Sequence, residues 1–414
     1  MHGRFYVNWS MDALKLLALL IAIIVALRKK FPVGITLFSA GLLTAVLYQI
    51  EIASLLEGYW NLIRSERFLS LTAVIVLITM LGRLLKELGY LERLGESCRH
   101  LYGGRRTAVA ILPFLIGLMP MPGGALLSAP LVDDVLKDKK YSPEFKTVSN
   151  YWFRHLVEFF WPVYPGIILT EGITGLAMEK VALMQFPLSL MMLAIGAYFY
   201  SRQIDTEKEN HVHFWKSIWG IVSTIWPIAG AIAIFAIFRI DLALAVLISM
   251  ILLILASRPP WRHMWVSTKS GFSYKLIFLM FGTLSFQTVL ELSGAIRSIP
   301  TLATMYHFPP ELLIVFVCFT LGILTGMVAA YIGMGYTLLA GFMYQPTIMP
   351  GHILLGYLSG YVGMLMSPTH LCLILTNEYF GSTLTVVYRK MAVPVILLAL
   401  LGFFLSRSPW VNLF

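Results

Sequence analysis

The sequence predicts an all-α polytopic membrane protein with ten crossings and two re-entrant hairpins, arranged as two inverted-topology repeats. Three observations predict it. Hydrophobic residues make up 58% of the 414, charged residues only 13%, and the mean hydropathy is +0.79. A soluble domain carries nearly twice that charged fraction. Two hydrophobic stretches are interrupted by Pro and Gly, and the interruptions recur about 205 residues later. The basic residues, finally, fall unequally on the segments that connect the apolar runs.

A crossing takes about 20 apolar residues for roughly 30 Å of hydrocarbon. In the first half the runs are 11–27, 32–50, 68–85, 145–170 and 181–200; in the second, 217–238, 240–256, 275–293, 350–376 and 385–405. The run 11–27 lacks a basic flank before it and a small-residue cleavage site after it, so it reads as a spanning helix rather than a leader. The segment 84–101 repeats Leu84, Leu88, Leu91, Leu94, Cys98 and Leu101 at helical spacing with charges on the other face. It is either an interfacial helix on the inner leaflet or an extension of the third span.

The segments 107–136 and 311–345 are apolar but carry turn residues in the middle. Met119-Pro120-Met121-Pro122-Gly123-Gly124 combines two helix breakers with two flexible residues, which suits the tip of a hairpin. The second tip is expected at Tyr331–Gly335, with Gly333 and Gly335. The spans 145–170 and 350–376 are broken helices, interrupted at Trp161-Pro162-Val163-Tyr164-Pro165-Gly166 and at Ser367-Pro368-Thr369-His370.

With the N-terminus outside and both segments as hairpins, 23 Lys and Arg fall on inner segments and 8 on outer ones. This is the positive-inside distribution. Both termini are then outside. The net charge of +10 belongs to the inner face and its anionic lipids, which removes the reason to invoke nucleic acid. Each half, about 9–205 and 214–408, holds five crossings. Five is odd, so the second half enters with the opposite orientation, as in many secondary transporters.

Unwound backbone is tolerated in a bilayer only where protein or a water-filled cavity satisfies it. A half-helix starting there presents free N–H groups and a positive dipole end, which bind anions. The preceding carbonyls suit Na⁺, a candidate coupling ion; no cofactor is implied. The candidate substrate residues are Pro122, Gly123, Gly124, Ser128, Asn150, Arg154, Pro162, Gly333, Gly335, Ser367, Pro368 and Thr369. Those for ion or proton coupling are His155, Glu158 and His370.

Arg154 and Glu158 are spaced i,i+4 and so share a helix face. Glu158 is expected about one turn before the break at Pro162, and Arg154 about two. Charges at that depth default to function; a structural ion pair is the other reading. The hydroxyls of Ser128, Ser367 and Thr369 have back-bonding to the helix as their bland alternative. The histidines either exchange protons near neutral pH or pack. A metal at His155 and Glu158 needs further carboxylates, and none lies near. Cys98, Cys318 and Cys372 form no CxxC. No HExxH, GxSxG or P-loop lysine motif is present, so no hydrolytic or ATP-driven activity is expected.

The Met-Pro-Gly-Gly124-Ala hairpin followed by Pro130-Leu-Val-Asp133, and the Ser367-Pro-Thr-His-Leu-Cys372 break, resemble an uncharacterised prokaryotic membrane family, domain of unknown function 401. That family is grouped with the ion transporter superfamily, beside divalent-anion, gluconate and C4-dicarboxylate carriers. The resemblance covers nearly the whole chain. It implies scaffold and transport subdomains, elevator motion, a homodimer and residence in a prokaryotic inner membrane. The divalent-anion carriers place a Ser-Asn-Thr triplet at each hairpin tip. Here the tips read Met121-Pro-Gly-Gly124 and Tyr331-Ile-Gly-Met-Gly335, which separates this chain from the dicarboxylate and sodium sites of that branch. The expected function is Na⁺- or H⁺-coupled secondary transport of a small organic anion. A cation/proton antiporter with Glu158 as carrier is the alternative, and an intramembrane enzyme or lipid flippase is the alternative of another class.

Overall fold

The computed structural model describes residues 9–29, 31–99, 105–119, 124–137, 140–205, 214–272 and 274–414, and among them all regular structure is helical. The first half runs α1 (Trp9–Arg28), α2 (Val33–Leu47), α3 (Ile52–Arg64), α4 (Glu66–Glu87), α5 (Tyr90–Arg99), α6 (Arg105–Gly117), α7 (Ala125–Val135), α8 (Pro143–Arg154), α9 (Pro165–Thr174) and α10 (Met178–Phe199). The second runs α11 (Phe214–Phe238), α12 (Leu242–Ser257), α13 (Trp261–Gly271), α14 (Tyr274–Ser293), α15 (Ala295–Met305), α16 (Pro310–Thr325), α17 (Val328–Leu338), α18 (Ala340–Met343), α19 (Pro350–Leu365), α20 (Leu371–Phe380) and α21 (Leu384–Ser406). Apart from the short α18, the order of long, amphipathic and broken helices is the same in both halves, about 205 residues apart.

Local chemistry sets several of these starts. Ser65 caps α4 by accepting from the Phe68 N–H, and Ser142 caps α8 by accepting from Phe145, with Pro143 in the first turn. Asp241 caps α12 in the same way. The segment 84–101 divides at Gly89, whose φ is +71°: α4 stops at Glu87 and α5 begins anew at Tyr90. Leu91 and Leu94 face the core while Glu92 and Arg93 face out. Leu101 lies outside the described residues. The second half has a counterpart in α15, which the sequence reading did not foresee; nor did it foresee α3 and α13.

Packing sorts the helices into two groups. In one, α2 lies on α14, α4 on α12 and α13, and α11 on α5 and α12. In the other, α6, α7 and α20 surround α8, while α16 and α17 pack on α19 and α17 on α9. Among the described residues four helices, at 66–87, 178–203, 215–238 and 384–406, are long and apolar enough to cross a membrane by themselves. Large apolar side chains point outward along α10, α11 and α21 and along α1 and α12. Soluble proteins rarely expose such extended patches; the chain is a multi-pass membrane protein.

Both segments with central turn residues are broken. In 311–345 the break is at Gly326, which has φ +62° and ends α16. Gly335 packs against Cys318, a Cβ there lying 3.0 Å from the thiol sulfur. These two residues sit at nearly equal chain distances on either side of Gly326, so the arms run back along each other. This corrects the expected tip. Gly333 and Gly335 are inside α17, where the missing side chains admit Thr283 and Cys318. In 107–136, α6 ends at Gly117, α7 begins at Ala125, and the two pack together. Pro122 and Gly123 lie outside the described residues.

Glycines also bring α16 and α19 into backbone contact. A Cβ on Gly322 would meet the Gly360 carbonyl, and one on Gly363 the Phe319 carbonyl. This is the small-residue packing of membrane helices. We expect Gly322→Val to destabilise the fold by about 1–3 kcal/mol through overpacking, read as a lower midpoint in a thermal-unfolding scan of detergent-purified protein.

Candidate functional site

The two broken helices meet at their breaks. The first does not break where its prolines suggested. α8 ends at Arg154, and past His155 a short 3₁₀ turn, Leu156–Phe159, follows before α9 starts at Pro165. The reason is the His155 side chain. Its Nδ1 donates to the Tyr151 carbonyl at 2.6 Å, occupying the acceptor that the next helical N–H would use, and the His155 N–H moves to Trp152. Arg154, His155 and Glu158 are therefore at the break rather than one and two turns before it. Pro162 lies beyond the 3₁₀ turn, half-buried.

A break in a buried helix leaves carbonyls that need donors. Tyrosines on α19 supply two: Tyr361 donates to the His155 carbonyl and Tyr357 to the Glu158 carbonyl, each at 2.6 Å. Ser189 donates to Leu156 at 2.7 Å. The end of the first hairpin's α6 is served from the same region, Tyr164 donating to Gly117 and Trp161 to Leu118. Reciprocally, Tyr151 on α8 donates to Leu365, the last residue of α19, at 3.2 Å. These tyrosines were not identified from the sequence. The available signal was the i,i+4 spacing of Tyr357 and Tyr361 in a Gly-rich apolar helix. We expect Tyr361→Phe to cost about 1–3 kcal/mol by stranding a buried carbonyl, visible as a lowered thermal midpoint.

The charged groups are enclosed. Arg154 is 2% exposed and Glu158 6% exposed, so neither reaches bulk water here. Their closest ion-pair atoms, Arg154 Nη1 and Glu158 Oε1, are 3.9 Å apart. The i,i+4 pair exists but is long, because the helix between them has changed pitch. The guanidinium lies against Gly124 at the start of α7; a Cβ there would be 2.6 Å from Nη2. Gly117 in turn abuts the Arg154 carbonyl. Both arms of the first hairpin thus close on Arg154.

His370 comes from the second break and ends the non-helical stretch before α20. Its Nδ1 donates to the Gly326 carbonyl at the second hairpin tip, at 2.6 Å. Its Nε2 faces His155 Nε2 at 3.0 Å. Glu158 Oε1 is 3.7 Å from the same His155 nitrogen. One continuous path therefore runs from Tyr151 through both imidazoles to the second hairpin tip.

The other sequence candidates divide. Asn150 donates to the Ala125 carbonyl at 3.2 Å and to Thr376 at 3.3 Å, tying α8 to α7 and α20. Its Oδ1 has no partner among the described residues. Ser128 is fully buried and back-bonds to Ala125, as the bland reading anticipated. Ser367 donates to Ile323 on α16 at 2.6 Å and contacts Thr369 at 2.9 Å, fixing the second break against the second hairpin. Pro368 and Thr369 are the exposed edge of that break. Gly333 and Gly335 are packing positions away from the breaks.

The side chains of His155, His370 and Cys372 offer donor atoms within 4.8 Å of one another. Two Zn–N bonds of about 2.0–2.1 Å at a tetrahedral angle hold their nitrogens roughly 3.3 Å apart. The two nitrogens here are closer, at 3.0 Å, a hydrogen-bond distance. The arrangement is spaced for a proton. It can hold positive charge at Arg154 and the imidazoles, negative charge at Glu158, and an anion at the starts of α7 and α20, which have no side-chain cap among the described residues.

A family profile described as "Protein of unknown function (DUF401)" matches residues 13–406. No curated protein matches the chain.

Proposed function

The chain belongs to the DUF401 family of proteins of unknown function, and we propose that it is an ion-coupled secondary transporter of a small organic anion. The observation that carries this reading is the convergence of Arg154, His155, Glu158 and His370 where two broken helices and a hairpin tip meet. Buried charge at a matched pair of helix breaks is the hallmark of a transport site.

The proposed arrangement has ten crossings and two re-entrant hairpins in inverted repeats of about 9–205 and 214–408, with both termini outside. Contacts between distant segments support it, because each joins two ends assigned to the same face. On the proposed inner side Arg106 reaches Ile204, Lys140 pairs with Asp205, and Glu144 accepts from Thr383. On the outer side Ser70 donates to Asp241, Arg407 pairs with Glu311, and Gln345 reaches Glu291. The helices around the breaks would form the moving unit of an elevator and the α2–α14 group its scaffold. A homodimer in a prokaryotic inner membrane completes the proposal by family likeness.

The coupling ion is Na⁺ or H⁺, and no enzymatic step is assigned. A cation/proton antiporter centred on Glu158 is the second reading, and the Arg154 guanidinium beside that carboxylate weighs against it. An intramembrane enzyme or a flippase has less support, since His155 and His370, the bases beside Cys372 among the described residues, are engaged with each other.

The test is ligand-induced stabilisation, with acetate, lactate, gluconate and succinate as probes, each with and without Na⁺ and across pH. A ligand that binds the folded state raises its unfolding midpoint by mass action. Stabilisation by one of them, lost in Arg154→Gln, supports the reading. A response to none of the anions, with a response to cations lost in Glu158→Gln, favours the antiporter instead.

A further inference from the structure

Hydrogen-bond stoichiometry at the two imidazoles is restrictive. A carbonyl oxygen only accepts, so His155 Nδ1, 2.6 Å from Tyr151 O, carries a hydrogen. His370 Nδ1, 2.6 Å from Gly326 O, does too. A neutral imidazole has one N–H, so in the neutral form of each ring Nε2 is a bare lone pair. Two such lone pairs would point at each other across 3.0 Å between buried side chains. One additional proton converts this repulsion into a charge-assisted N–H···N bond.

We infer that His155 and His370 share one proton between their Nε2 atoms and that this proton travels with the transported anion. The second half of the inference rests on the anion-transport reading above; the first does not. The local charges fit both halves. Arg154 contributes +1, Glu158 −1 and the proton-loaded histidine pair +1; Tyr151 and Tyr361 beside the rings and Cys372 on α20 are neutral in their protonated forms. The loaded site carries +1 and the empty site 0. An anion of charge −1 neutralises the loaded site, so proton and anion bind together and the pair crosses without net charge.

The shared proton is also mechanical. It completes the chain from α8 through His155 and His370 to the carbonyl of the second hairpin tip. Losing it removes the N–H···N bond and frees the tip. Direction follows: low pH favours the tethered form, and raising the pH through the titration of the pair releases the tip.

Two measurements on the full chain in nanodiscs test this. The first is NMR with ¹⁵N-histidine, assigned with His155→Gln and His370→Gln. We expect both Nδ1 atoms protonated and one low-field proton correlated with both Nε2 atoms, lost in either variant and lost at high pH. Two neutral imidazoles with no shared proton throughout the folded pH range would overturn the inference. So would stoichiometric transition metal bound to both nitrogens, detected by elemental analysis. The second is proton uptake on gluconate binding in weak buffer above the pair's titration. About one proton per gluconate is expected by linkage, and none in His370→Gln. Binding without uptake overturns the coupled-proton half. An intact shared-proton signal with no binding of acetate, lactate, gluconate or succinate would instead overturn the transport reading and that half with it.

Discussion

Arg154→Gln abolishes anion binding while leaving a folded protein. Removing one partner of a buried, hydrogen-bonded charge interaction costs about 2–5 kcal/mol, a loss of roughly 30-fold to several thousand-fold in affinity. Arg154 is enclosed between Gly124 of the first hairpin and Glu158 of the break, out of reach of bulk water. The substitution also leaves Glu158 without its nearest permanent cation, which costs stability in addition. The double variant Arg154→Gln/Glu158→Gln separates the two effects. It recovers much of the thermal midpoint and none of the anion binding. Full recovery of stability together with unchanged binding would mean that the pair is a structural tie and the anion sits elsewhere.

Gly326→Ala disables transport out of proportion to its effect on the backbone. Gly326 occupies the left-handed region at φ +62°, where any L-residue costs about 1–2 kcal/mol. Gly381 has nearly the same conformation, φ +64°, with nothing within 4 Å of an added Cβ. A Cβ on Gly326 would stand 2.8 Å from the His370 backbone nitrogen and 2.9 Å from Thr369 Oγ1. Gly381→Ala therefore reports backbone strain alone, and Gly326→Ala reports strain plus separation of the hairpin tip from the second break. Uptake of labelled gluconate into proteoliposomes is expected to fall at least about tenfold further in Gly326→Ala than in Gly381→Ala, an effect of about 1.4 kcal/mol or more. Equal uptake in the two variants would remove the tip from the mechanism.

Much of this site was legible because its signals are local. A hydrophobic run interrupted by Pro and Gly, a buried Arg and Glu at i,i+4, and a Ser-Pro-Thr-His cluster each declare themselves within a few residues. The long helices fall on the apolar runs, α3, α13 and α15 being additional, and Arg154, His155, Glu158 and His370 do come together. What escaped the reading is non-local or ambiguous in kind. Glycine serves both left-handed turns and close backbone approach. The sequence offered Gly326 for one role and Gly333 and Gly335 for the other without saying which was which. The end of α8 at Arg154 is fixed by a side chain bonding back to the helix and by tyrosines some 200 residues away. Pro162 marked the broken helix correctly but not the position of its break. The two histidines were visible singly; their contact across the halves follows from the breaks packing on each other.

The central claim is proton-coupled anion movement through a site that requires Arg154. It is tested most directly in proteoliposomes containing a trapped pH indicator. An inward gradient of gluconate, whose charge and hydroxyls limit passive leak, is imposed at fixed external pH without Na⁺, and the panel is extended to lactate and succinate. The account predicts lumenal acidification with the wild-type protein, insensitive to membrane potential for a monoanion and absent in Arg154→Gln and His370→Gln. Acidification no faster than in protein-free vesicles for every anion tested, or equal in wild type and Arg154→Gln, would contradict it.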